Sequence, residues 1–189
     1  MTFPNRLTLL RFGLAVTFLV SLLNYDRIEW LVVALFLFVA AGITDLYDGI
    51  LARRYDQETD FGRLMDPLAD KLMTLVAFVY FMEIPELSWP AWLVIIVLGR
   101  ELAVNSLRTL AAVRKQVLAA ATSGKYKTTV QMAGIFLVLL GLIFFRLQLV
   151  EYLWLNGVSW TAMLLTLIVT IYSGVEYFYR NMEIFRDCI

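Results

Sequence analysis

Long apolar runs separated by short polar segments dominate the chain, and six of them approach the roughly 20 residues that a helix needs to cross a bilayer. They predict helices over about 5–24, 29–51, 66–83, 90–113, 125–146 and 158–180. Pro85 and Pro90 punctuate the third gap, where IPELSWP resists helix continuation, and Asn156–Gly157 marks the fifth. No internal repeat or low-complexity linker interrupts the pattern. The expected fold is an all-α membrane protein with six transmembrane helices, residues 1–189 forming one integral-membrane domain.

Composition strengthens this picture, since 61% of residues are hydrophobic and the mean hydropathy is +0.75, above the range of soluble domains. Net charge is zero and decides nothing, but the charges are unevenly placed. Arg6, Arg11, Arg53, Arg54, Arg63, Arg114, Lys115, Lys125, Lys127, Arg180 and Arg186 flank one set of helix ends. The other set carries Arg27 and Arg146 beside Asp26, Glu29, Glu83, Glu86 and Glu151. The excess of basic residues places both termini and the segment between the second and third helices on the cytoplasmic side. Trp30, Trp89, Trp92, Trp154 and Trp160 gather toward the opposite interface, as belt residues do.

Histidine is absent, which removes imidazole metal ligands, Ser-His nucleophiles and imidazole proton shuttles. The one cysteine, Cys188, excludes an intrachain disulfide. Acid–base or metal chemistry therefore falls to carboxylates and lysines. Asp45, Asp48, Asp66 and Asp70 stand out, because a carboxylate near a bilayer is costly unless paired or hydrated. Asp45 and Asp48 are three apart and Asp66 and Asp70 four apart, so each pair shares a helix face. Two such helices suit hard cations, which prefer oxygen ligands. A solvated acidic loop accounts for Asp56, Glu58 and Asp60 but not for the paired spacing. Between the pairs, Gly49, Ala52 and Gly62 allow either tight helix packing or close approach of a ligand. The planar fork of Arg53 suits a phosphate.

Asp45-x-x-Asp48-Gly49-x-x-Ala52-Arg53, eight residues, then Gly62-x-x-x-Asp66-x-x-x-Asp70 resembles the signature of the CDP-alcohol phosphatidyltransferases at every fixed position. The resemblance implies a six-helix membrane fold, a homodimer, and an active site open to the cytoplasm. It implies magnesium or manganese, two ions per site, with a CDP-linked lipid donor, an alcohol acceptor and release of CMP. Carried over by position, Asp45, Asp48 and Asp66 would bind the metal ions. Asp70 would join them and act as general base. Asp48, Gly49, Ala52, Arg53 and Gly62 would accommodate the CDP moiety.

Two further segments bear on the acceptor. Arg100 and Glu101 lie inside the fourth apolar run with Arg108 two turns later, and read as an anion seat, with a structural ion pair as the alternative. Ser123-Gly124-Lys125-Tyr126-Lys127-Thr128-Thr129-Val130-Gln131 reads as a basic loop facing anionic lipid, or as donors to a phosphate at a helix start. It lacks the spacing of a P-loop.

With Pro4-Asn5-x-Leu7-Thr8-x-x-Arg11, these segments resemble the bacterial phosphatidylglycerophosphate synthase branch of the family. Gly99 departs from the expected Ala or Ser. The resemblance implies CDP-diacylglycerol as donor and sn-glycerol 3-phosphate as acceptor, its phosphate gripped by Arg100, Arg108, Lys125 and Lys127. Asn5 and Thr8 would border the nucleotide, or else cap and anchor the first helix. The implied location is the bacterial cytoplasmic (inner) membrane, with membrane lipid as a partner and no nucleic acid. Two alternatives stand beside this reading: another acceptor (inositol phosphate, serine or phosphatidylglycerol), and a divalent-cation transporter.

Overall fold

The computed structural model describes residues 3–51, 60–113 and 123–182, and within them the side chains of 9–44, 71–109, 111, 124 and 126–182. Six helices and no strand occur among the described residues. They are α1 (Phe3–Leu23), α2 (Ile28–Leu51), α3 (Asp60–Phe81), α4 (Ala91–Val113), α5 (Ser123–Arg146) and α6 (Tyr152–Arg180). Two stretches, Tyr126–Arg146 and Tyr152–Arg180, meet length and apolarity criteria for crossing a membrane, among the described residues.

Two helix starts differ from the expectation. α3 begins at Asp60, so the polar segment gives its last residues to the helix. An acidic residue there complements the positive end of the helix dipole. α6 begins at Tyr152, and Asn156 and Gly157 lie inside it instead of in a gap. The break falls earlier, at Gln148, whose φ of 59° is left-handed. The Gln148 amide donates to the Phe145 carbonyl (3.0 Å) and the Leu149 amide to that of Phe144 (3.0 Å). This pair of bonds is a Schellman stop, which satisfies the last carbonyls of α5 without a glycine. Gly157 is tolerated because the space around it is open.

Arg146 shows how the helices are threaded. Its Nη2 is 2.8 Å from Asp26 Oδ1 and 3.1 Å from Glu86 Oε1, and its guanidinium lies 5.0 Å from the Tyr25 ring centroid. The α1–α2, α3–α4 and α5–α6 connections therefore meet at one end, and successive helices run in opposite directions. Burial, then the carboxylates of Glu86 and Asp26, hold the Tyr25 phenol above its ordinary pKa, so its ring stays neutral beneath the guanidinium.

A single large apolar core fills this half, with Phe18, Leu22, Leu31, Phe78, Phe81, Leu142 and Leu155 all buried. Trp89 belongs to it. Instead of anchoring at an interface it packs edge-on against Phe81, with centroids 5.5 Å apart, because the turn before α4 folds it inward. Trp92 and Trp154 remain exposed. Large apolar side chains also point outward from α1, α2, α4 and α6, including Val16, Phe36, Ile95 and Ile168.

Candidate active site

At the end opposite Arg146 the aspartate motif spans two helices. Asp45 and Asp48 fall in the last turns of α2, and Asp66 and Asp70 in the first half of α3. Backbone register puts each pair on one face of its helix. Both helices pack on α1 and on α5. The side chains of these four aspartates lie outside the described residues, as do those of Asn5, Thr8 and Lys125. Ala52 and Arg53 lie outside them entirely, whereas Gly49 and Gly62 are helical. Among the described residues no three or more potential metal ligands converge. The motif's donor set is four carboxylates, which fits a hard divalent cation.

Next along α3 comes Lys71, and it opens a buried ionic cluster. Glu101, near the middle of α4, is 8% exposed, and an unpaired carboxylate there would be strongly destabilising. Its Oε1 accepts a hydrogen bond from Lys127 Nζ and lies 3.5 Å from Arg100 Nη1; its Oε2 is 3.3 Å from Lys71 Nζ. Lys71 also donates to Asn105 Oδ1 at 2.6 Å. One carboxylate thus faces three cations drawn from α3, α4 and α5, which leaves positive charge in excess among the described residues. Such an excess in a low-dielectric setting favours an incoming anion.

The arginines of α4 lean on α6. Arg100 Nη2 donates to Ser173 Oγ at 3.0 Å, while its buried Nε has no partner among the described residues. Arg108 Nε donates to Tyr177 Oη at 3.4 Å, and its guanidinium carbon sits 5.5 Å from the Tyr177 ring centroid. Val104 and Leu107 of α4 pack with Tyr177 in a small second core.

The structure therefore gathers Arg100 and Lys127 at one carboxylate and puts Arg108 alongside, on exposed ground. The ion-pair reading of Arg100–Glu101 holds geometrically, although Lys127 and Lys71 are nearer to that carboxylate. Lys71 went unnoticed in the sequence, where a cation inside an apolar run beside Asp70 was the available signal. Asn105, Ser173 and Tyr177 gave no signal, because ordinary polar residues on apolar helices have many uses. A cavity of about 530 Å³ lies elsewhere, at the α5–α6 junction by Arg146, lined by Phe145 and Gln148–Glu151.

A family model described as CDP-alcohol phosphatidyltransferase matches residues 1–172. The CDP-diacylglycerol–glycerol-3-phosphate 3-phosphatidyltransferase of Bacillus subtilis (strain 168) is 35% identical over 191 residues, covering 95% of this chain and 95% of its own. A protein of Mycobacterium tuberculosis (strain H37Rv), described as a probable phosphatidylglycerophosphate synthase, is 37% identical over 95% of this chain and 81% of its own. The CDP-diacylglycerol–glycerol-3-phosphate 3-phosphatidyltransferase of Pectobacterium atrosepticum is 34% identical over 92% and 91%.

Proposed function

The chain belongs to the CDP-alcohol phosphatidyltransferase family, and we propose that it transfers the phosphatidyl group of CDP-diacylglycerol to sn-glycerol 3-phosphate, giving phosphatidylglycerophosphate and CMP. One structural observation carries the acceptor half of this reading. The cationic cluster of Lys71, Arg100 and Lys127 starts at the residue after Asp70, so a seat for a phosphorylated alcohol adjoins the last aspartate of the motif.

In this reading Asp45, Asp48, Asp66 and Asp70 hold Mg²⁺ or Mn²⁺, which when bound would offset charge on the diphosphate of the donor. Gly49, Ala52, Arg53 and Gly62, with Asp48, border the CDP moiety, and Asn5 and Thr8 lie at its edge. Arg100, Arg108, Lys125 and Lys127 bind the acceptor phosphate and orient the hydroxyl. Asp70 accepts the hydroxyl proton as the acceptor oxygen attacks the β-phosphorus. The new P–O bond joins glycerol phosphate to the phosphatidyl group while the phosphoanhydride bond breaks and CMP departs. No protein nucleophile is needed, which suits a chain without histidine.

The same reading makes residues 1–189 one integral-membrane domain of six spans, a homodimer in the bacterial cytoplasmic membrane, with its termini and site on the cytoplasmic side. Outward apolar side chains on all six helices support the lipid environment, since water would disfavour so much exposed apolar surface.

Purified protein supplied with CDP-diacylglycerol and each labelled alcohol tests the proposal. Glycerol 3-phosphate should yield product, chelation should stop CMP release, and Asp70→Asn should lower turnover by at least about 10². Product from inositol phosphate or serine alone would overturn the acceptor. Divalent-ion uptake into proteoliposomes that is lost in Asp66→Asn, with no CMP release from wild type, would favour transport.

A further inference from the structure

α6 carries none of the motif residues, and its last two turns lie beyond the matched residues 1–172. Yet the two arginines expected to meet the acceptor phosphate both rest on those turns. Arg100 touches Ser173, and Arg108 touches Tyr177, four residues on and so on the same face of α6. Both numbers rise together, so α4 and α6 run in the same direction here. Eight residues of α4 span about 12 Å, whereas four residues of α6 span about 6 Å. The two side chains therefore reach toward one another. Drawing two cations together is unfavourable unless an anion joins them.

Gly174 supplies the seat. A Cβ at this position would stand 3.0 Å from Arg100 Cγ and 3.5 Å from its Nε, so the arginine stem occupies the space that any side chain would fill. With the stem in that notch, Nη2 bonded to Ser173 and Nη1 facing Glu101, a flexible side chain is held in one arrangement, and the second N–H of each terminal nitrogen is left to a ligand. Tyr177 is 3% exposed and wedged by Val104 and Leu107, which makes its ring a fixed platform for Arg108.

We infer that Ser173, Gly174 and Tyr177 form a positioning surface on α6 that aims Arg100 and Arg108 at a phosphate-bearing acceptor. This inference rests on the function proposed above. It assigns these three residues to acceptor affinity, and leaves the donor and the chemical step to the rest of the site.

Gly174→Ala is the sharpest probe, because alanine is the better helix former and the fold should tolerate it apart from the arginine. Binding of glycerol 3-phosphate to the full-length protein in detergent, measured calorimetrically, should weaken about tenfold, as loss of a charged hydrogen bond implies. KM for glycerol 3-phosphate should rise in step, while kcat and KM for CDP-diacylglycerol stay within about twofold and the thermal midpoint does not fall. Tyr177→Leu should weaken binding about fivefold, and Tyr177→Phe, which keeps the ring, should retain most of it. Wild-type affinity in both Gly174→Ala and Tyr177→Leu would overturn the inference and leave the proposed function standing. Equal losses in Tyr177→Phe and Tyr177→Leu would remove the platform role of the ring. A wild-type protein that neither binds glycerol 3-phosphate nor releases CMP in its presence would sink both.

Discussion

Glu101 decides what the surrounding lysines and arginine can do. A carboxylate 8% exposed and a lysine 5% exposed are each too costly alone, and the hydrogen bond from Lys127 makes the pair possible. With Lys71 and Arg100 also facing it, Glu101 offsets repulsion among three cations. Replacing it with Gln should therefore do more than break one bond. Chemical unfolding in detergent should show Glu101→Gln destabilised by about 3 kcal/mol, the usual cost of stranding a buried charge. Glu101→Gln combined with Lys127→Met should recover part of that loss; a double variant as unstable as the sum of the single ones would deny the coupling. Arg100 and Lys127 stood out in the sequence because charges in apolar runs are conspicuous. Glu101 was legible as a partner for Arg100, but its pairing with Lys127 was not, since 26 residues separate the two along the chain.

The α5–α6 seam shows how small residues set helix separation. Gly134 of α5 faces Ala162 and Thr166, and Gly141 faces Leu155, so the two helices run antiparallel with glycines seven residues apart on the contact face. A Cβ at Gly134 would lie 3.3 Å from Thr166 Oγ1 and 3.6 Å from the Ala162 carbonyl oxygen, which a backbone cannot easily vacate. Gly134→Val should cost about 2 kcal/mol by overpacking, whereas Gly157→Ala, in open space on α6, should be neutral or stabilising by about 0.5 kcal/mol. Thermal unfolding of the two variants side by side checks the contrast; equal effects would deny that the seam is tight. Sequence reading misplaced the start of α6 for a related reason. Asn-Gly is a turn signal in isolation, and a helix already packed on α5 overrides it.

Across the whole molecule, the Arg146 junction and the proposed site lie at opposite ends. Arg146 ties three connections together at one end, and the aspartates and cations occupy the other. Asp26 is 76% exposed, so its pair with Arg146 is solvent-screened and Asp26→Ala should change stability by less than about 0.5 kcal/mol. Glu86 is 19% exposed, and Arg146→Met, which leaves it unpaired, should cost about 2 kcal/mol. KM for either substrate should not move in Arg146→Met; a shift as large as that of Gly174→Ala would mean that the two ends are coupled.

Six helices could be read from the apolar runs, because hydrophobic length and period are local properties that each segment carries by itself. The aspartate motif was equally plain, since its spacing lies within 26 residues and needs only two helices to make sense. Tertiary structure alone decided that Lys71 joins Arg100 and Lys127 at Glu101, and that α6 seats the arginines. Those choices depend on which helix faces which, and on a groove made by a missing Cβ at Gly174. Side-chain contacts between distant segments arise when apolar faces pack together, and no local pattern encodes them.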